Sequence, residues 1–195
     1  MMLAPFLEKD KIEVGIDEAG RGSLAGPVVA AAVILPENFE LPGLKDSKKL
    51  SLKNRLRLKE AIKQQAIAWA IGEATAQEID EINVLQATFL AMHRALDKIE
   101  VPFDQLLIDG MHFKAYNNRP HHCIIKGDDK MASIAAASIL AKTYRDELMQ
   151  ELSKTYTEYG WDHNVGYPTL EHRKAIERNG ITEWHRRSFK MLADK

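Results

Sequence analysis

The run Val14-Gly15-Ile16-Asp17-Glu18-Ala19-Gly20-Arg21-Gly22 sets two adjacent carboxylates between a short apolar stretch and a Gly-Arg-Gly turn. A stretch of this kind reads as a strand that delivers its last residues to a sheet edge. Acids there can collect a divalent cation, while the turn's backbone amides and the Arg21 guanidinium can collect a phosphate. Together they point to metal-dependent chemistry on a phosphoester. Two familiar phosphate loops are excluded. No Lys-Ser/Thr pair follows the glycines as a Walker A loop requires, and Gly20, Gly22 and Gly26 run one residue too long for G-x-G-x-x-G. A tight turn with an incidental acid pair would look the same, so the decision rests on the rest of the chain.

Two further acids follow short apolar runs. Leu106-Leu107-Ile108-Asp109-Gly110 repeats the pattern, and Ile124-Ile125-Lys126-Gly127-Asp128-Asp129-Lys130 nearly does so. Asp commonly opens turns and caps helices, and for Asp128 alone capping is the stronger reading. Three strand ends bearing carboxylates change the balance. Parallel neighbours lie about 4.8 Å apart, so their carboxyl ends meet at one edge. Asp17, Glu18, Asp109 and Asp128 would repel one another there unless protons or cations lay between them. An all-oxygen set suits Mg²⁺ or Mn²⁺ rather than zinc. Two such ions roughly 4 Å apart serve phosphodiester hydrolysis. His121 and His122 point to opposite faces of a strand, and His163, His172 and His185 read as readily as surface residues. No histidine is assigned a role.

The elements that must position these acids follow from periodicity. Strands are expected over Ile12–Asp17, Pro27–Leu35, Ala66–Thr75, Leu106–Asp109 and Cys123–Lys126, with the first two able to form a hairpin. Helices are expected over 51–65, 76–98 and 131–152. We read the order as three strands, then helices, then two strands and a helix, which predicts an α/β fold with a mixed sheet flanked by helices. From about residue 153 the chain becomes more aromatic and polar, consistent with a C-terminal helical lobe (about 153–195) on a single domain spanning 1–195.

At 195 residues and 45% hydrophobic, the chain suits one well-cored domain. It lacks the ~20-residue apolar run of a membrane helix, its N-terminus is a poor signal peptide, and Cys123 is its single cysteine. A cytoplasmic location with no membrane partner is expected. With 27 basic and 28 acidic residues, the net charge of −1 does not mark a nonspecific nucleic-acid binder. Cations nevertheless concentrate in 45–63, from Lys45 and Lys48 to Lys59 and Lys63. Such a run is an ordinary solvated helix face unless it lies near the acids.

Six blocks occur in order: Ile16-Asp17-Glu18-Ala19-Gly20-Arg21-Gly22, Asp46-Ser47-Lys48-Lys49-Leu50, Leu107-Ile108-Asp109-Gly110, Lys126-Gly127-Asp128, Ala136-Ala137-Ser138-Ile139-Leu140-Ala141-Lys142 and Gly166-Tyr167-Pro168. With the terminal His185-Arg186-Arg187-Ser188-Phe189, this set resembles bacterial ribonuclease HII over roughly residues 12–190. The resemblance implies a ribonuclease H-like fold and metal-dependent endonucleolytic cleavage of RNA in RNA–DNA hybrids. It also implies incision on the 5′ side of single ribonucleotides in duplex DNA, leaving 3′-hydroxyl and 5′-phosphate ends. The family's metal-binding acids fall on Asp17, Glu18, Asp109 and Asp128, its Gly-Arg-Gly element on Gly20, Arg21 and Gly22, and its substrate-sensing tyrosine on Tyr167. Ser23, Asp129 and Val165 depart from residues common in relatives.

Ser138, Lys142 and Arg145, spaced by four and three, share one helix stripe. The stripe suits a phosphate track or a solvent-facing side, and the resemblance favours the former; it likewise raises Lys48 to a possible phosphate contact. Two other readings stay open: a nuclease or integrase-like protein acting on DNA junctions, and a nucleic-acid-binding protein that has lost its chemistry. The first leaves the Gly-Arg-Gly element and Tyr167 unexplained. The second sits poorly with the presence of all the acids.

Overall fold

A computed structural model describes residues 3–45, 47 and 50–192 of the chain. β1 (Glu13–Ala19) and β2 (Val28–Ile34) form an antiparallel pair, and β3 (Ala68–Ala74) adds antiparallel to β2. On the other side of β1 lie β4 (Gln105–Asp109) and β5 (His121–Ile124), each parallel to its neighbour. The sheet order is β3-β2-β1-β4-β5. β2 is buried along its whole length, as its unbroken run of Val, Ala and Ile requires.

Helices cover both faces. α1 (Leu52–Gln65) enters between β2 and β3, so the expected run of three strands before any helix is corrected. Thr75 and Glu78 form a reciprocal capping box at the start of α2 (Ala76–Leu96). α2 is not the single helix expected over 76–98. Asn83 takes a left-handed φ of 65°, and its Oδ1 accepts from the Leu85 and Gln86 amides at 3.0 and 3.2 Å, capping a second helical segment. β5 sits two residues earlier than expected, because Lys126 turns left-handed and Gly127–Asp129 form a 3₁₀ turn ahead of α3 (Ala132–Ser153).

α2 packs on the face carrying Val14, Ile16, Ala30 and Ile108. α3 and α1 pack on the opposite face, where Val29, Ala31 and Val33 meet Ala137, Leu140, Leu58 and Ile62. The α3 N-terminus crosses β1 at very short range. A Cβ on Gly15 would lie 2.3 Å from the Ser133 carbonyl carbon, so only glycine lets the helix this near the acids. The cationic α1 is tied to α3 through Arg55–Asp146 (3.7 Å) and Lys59–Glu147 (2.6 Å).

The outer edge of β3 is partly capped. Lys98 Nζ donates to the Ile71 carbonyl at 2.7 Å, and Arg94 Nη1 to the Glu73 carbonyl at 2.8 Å. Beyond α3, the short helix α4 (Trp161–Asn164) and α5 (Leu170–Asn179) gather around a cluster of Leu24, Met149, Tyr159 and Trp161. Among the described residues no helix is long and apolar enough to cross a membrane.

Candidate active site

The parallel pairing of β1 and β4 sets the geometry. Ile16 and Ile108 are register partners, so the next residues, Asp17 and Asp109, stand side by side at the carboxyl end of the sheet. Asp17 shares the α3-facing side of β1 with Gly15, and α3 closes over it. Asp17 is 4% exposed. Its carboxylate accepts from the Glu18 amide at 2.7 Å and from the Ser138 hydroxyl. Ser138 in turn shares a 3.0 Å hydrogen bond with Ser47. Asp109 accepts from the Gly127 amide at 2.7 Å, which fastens the 3₁₀ turn carrying buried Asp128 against the end of β4. Asp128, rather than half-buried Asp129, is the enclosed member of that pair.

The electrostatics are those of a crowded acid site. Burial, reinforced by the charges of Glu18 and Asp109, pushes the Asp17 carboxyl well above the usual carboxylate range. Protons or cations relieve such crowding. Among the described residues no three Asp, Glu, His or Cys side chains are already drawn together at metal-ligand spacing. The donor chemistry nevertheless fits hard divalent cations: all-oxygen, anionic, and partly buried at the ends of adjacent strands.

A cleft of about 440 Å³ opens beside these acids, lined by Glu18, Gly20, Arg21, Gly22, Ser138, Lys142 and Tyr167, with Ala19 and Ser47 completing the wall. The Arg21 guanidinium bonds Glu18 at 3.1 Å, and Lys142 bonds Asp146 at 2.6 Å. Half-buried Tyr167 has the Lys142 ammonium 5.5 Å and the Arg145 guanidinium 5.4 Å from its ring centroid, distances at which cations favour an aromatic face.

Several expectations are corrected. Arg145 is no part of a phosphate track. It is fully buried and donates to the carbonyls of Pro27, Val165 and Ala25 at 3.0, 2.9 and 2.9 Å. Nor does Ser138 lie on a solvent-facing side, being 4% exposed under the acids. Lys48 lies outside the described residues.

His172 and His185 are core residues, not surface ones. The Thr182 amide donates to His185 Nδ1 at 3.0 Å, which leaves the His185 proton on Nε2, directed at His172 Nε2 3.2 Å away. Trp161 Nε1–H also donates to His172 Nε2 (3.0 Å), so His172 carries its proton on Nδ1 and gives it to the Tyr167 carbonyl at 3.0 Å. Sequence reasoning also missed Arg186, which is fully buried beneath the Gly-Arg-Gly turn.

Carboxylates at the ends of the central strands of a mixed β3-β2-β1-β4-β5 sheet, with helices on both faces, define the ribonuclease H-like class of nucleases. Residues 14–192 match the family described as Ribonuclease HII. A Ribonuclease HII of Phocaeicola vulgatus is 56% identical over 191 residues, covering 98% of this chain and 95% of that protein. The crystal structure of ribonuclease H2 from Pyrococcus horikoshii is 26% identical, with a TM-score of 0.76 over 92% of this chain and 94% of that one. A Bst ribonuclease HIII crystallised with Mn²⁺ shares the fold at 21% identity and a TM-score of 0.71, covering 92% of this chain and 67% of that one. The chain belongs to the ribonuclease HII family. It is a hydrolytic endonuclease with endoribonuclease activity on RNA–DNA hybrids, in a family that uses divalent metal ions.

Proposed function

We propose that this enzyme cuts on the 5′ side of a ribonucleotide, including a single ribonucleotide embedded in duplex DNA, and leaves 3′-hydroxyl and 5′-phosphate ends. Asp17, Glu18, Asp109 and Asp128 are the proposed holders of Mg²⁺ or Mn²⁺. When bound, such ions activate water and neutralise charge at the leaving oxygen. The protein's own part is positioning. Gly20, Arg21 and Gly22 offer backbone groups to the 2′-hydroxyl, the group that separates RNA from DNA. Tyr167 packs against the adjoining deoxyribose, Lys142 and Arg21 meet phosphates, and Ser138 holds Asp17 in place. Lys48 is a further proposed phosphate contact. The chain is proposed to act as one domain, in the cytoplasm, with its C-terminal part supplying Tyr167.

One observation carries this reading. Glu18, the Gly-Arg-Gly turn, Lys142 and Tyr167 come from three distant parts of the chain and line one cleft. A phosphoester bound there would meet the Glu18 carboxylate, backbone amides, the Arg21 and Lys142 cations and an aromatic ring together. The deciding experiment compares a DNA duplex carrying one ribonucleotide with the all-DNA duplex, each with Mg²⁺, Mn²⁺ or chelator. A single metal-dependent cut 5′ of the ribonucleotide, with the all-DNA duplex intact, supports the proposal. Cutting of both duplexes removes the 2′-hydroxyl reading, and cutting in chelator removes the metal reading.

A further inference from the structure

We infer that Arg145 and Arg186 form a buried clamp that holds the Gly20–Gly22 turn and Tyr167 in one fixed mutual geometry, and so act as positioning residues for substrate discrimination. The inference rests on the proposed reading of that turn and of Tyr167 as the elements that sense substrate.

Both side chains have 0% exposure. Each spreads its planar fork of donors over three main-chain carbonyls. Arg186 donates to Gly26, Arg21 and Gly20 at 2.9, 2.9 and 2.7 Å. Arg145 donates to Pro27, Ala25 and Val165. Between them they tie down the segment from Gly20 to Pro27, Arg186 reaching in from the C-terminal part and Arg145 from α3. The Val165 bond links that segment to the loop two residues before Tyr167.

Burying a guanidinium against carbonyls, with no carboxylate of the described residues at ion-pair distance, is expensive. Setting two of them close together adds repulsion: burial, then the charge of Arg145, lowers Arg186 to about 9. A hydrophobic plug would support a turn at lower cost. What the fork adds is direction. In a trans peptide the C=O and the following N–H point opposite ways. Drawing the Gly20 and Arg21 carbonyls down to Arg186 therefore turns the amides of Arg21 and Gly22 away from it, on the turn that lines the cleft.

The clamp also has no slack. Gly20 has a φ of +90°, and a Cβ there would lie 2.0 Å from Arg145 Nε. Val165 is held at a φ of 42°, a strained conformation for a β-branched residue. Its carbonyl is the one Arg145 secures. Strain of this kind persists where the surroundings over-determine it.

The test measures kcat and KM of Arg145→Lys, Arg186→Lys, Tyr167→Ala and the Tyr167→Ala/Arg145→Lys double variant. Two substrates are compared, a duplex with one ribonucleotide and a long RNA–DNA hybrid. Lysine keeps the charge but loses the fork. Each lysine variant should lower the single-ribonucleotide to hybrid ratio of kcat/KM roughly 5- to 10-fold, in the direction of Tyr167→Ala. The double variant should move the ratio no further than Tyr167→Ala does. An unchanged ratio in folded lysine variants, when Tyr167→Ala does change it, overturns the clamp alone. An unchanged ratio in Tyr167→Ala overturns the sensing reading and the clamp with it. Should the lysine variants not fold, amide hydrogen exchange on the native enzyme decides. The internally bonded amides of Leu24, Ala25, Gly26, Gly166 and Tyr167 should exchange as slowly as β1, and exchange as fast as the exposed stretch 110–118 overturns the clamp.

Discussion

Asp17 and Asp109 occupy equivalent places on adjacent parallel strands, each one residue past the paired Ile16 and Ile108. Their burial differs, with Asp17 enclosed and Asp109 half-exposed and bonded to the Gly127 amide. The register thus sets two like charges together in a site that only cations or protons can make comfortable.

Asp109→Asn should abolish turnover, by about a thousandfold or more, while leaving the fold intact. The amide oxygen still accepts from Gly127, and one of the charges crowding Asp17 is gone. A thermal midpoint equal to or above that of the parent, beside lost cleavage, is the expected pair of results. Normal turnover would remove Asp109 from the metal site.

Lys142 and Arg145 should separate in salt titrations of substrate binding. Lys142→Ala removes a cation from the cleft wall and should lower the slope of log K against log salt by about one. Arg145→Lys should leave that slope unchanged, because Arg145 faces carbonyls and not solvent. Equal changes in slope would return Arg145 to the phosphate track.

Tyr167→Phe and Tyr167→Ala divide the ring from its hydroxyl. The phenyl ring retains the faces toward Lys142 and Arg145, so the Phe variant should keep most of the single-ribonucleotide activity. The Ala variant should lose roughly 10-fold or more. Matching losses in thermal stability and on every substrate would instead mark Tyr167 as a packing residue.

The buried histidine pair predicts acid sensitivity. Burial, then the neighbouring His172, lowers His185 from 6.5 to about 4, and burial also lowers His172. The unfolded chain therefore binds protons that the native state refuses. The stability contributed by neutral His185 is fully present above about pH 6.5 and is lost as pH falls toward 4, at most ~3 kcal/mol. The raised Asp17 carboxyl works in the opposite sense, so urea denaturation at pH 7 and pH 5 is compared in Asp17→Asn. The drop should show there, and a flat profile would contradict the buried neutral pair. Glu78, held near 2 chiefly by its hydrogen bonds to Arg94, loses its contribution only below about pH 4.5, a lower window.

The placement of Asp17 and Asp109 side by side was legible because a strand's end can be read from local pattern and parallel pairing converts local ends into one edge. Asp128, by contrast, lies four residues past the end of β5, in a 3₁₀ turn with no periodic signal. Arg145 was misread for a reason in helix geometry. Spacing of four and three shows that Ser138, Lys142 and Arg145 share a stripe, but the surrounding fold decides what that stripe meets. Here Lys142 meets the cleft, while Arg145 meets carbonyls of two loops that carry no periodic signal. His172 and His185 were misread likewise, since their burial depends on the Trp161 cluster closing over them. Asn83 did carry a signal: a capping residue inside an otherwise unbroken helical pattern.

The capped margin of β3 bears on how the molecule behaves at high concentration. An open sheet edge invites strand exchange and ordered aggregation. Ile71 and Glu73 would offer the acceptors for such a docking strand, yet lysine and arginine from the end of α2 already occupy them. A second copy approaching this margin finds both acceptors already taken, Arg94 being held in place by its ion pair with Glu78, so addition of a strand there is discouraged.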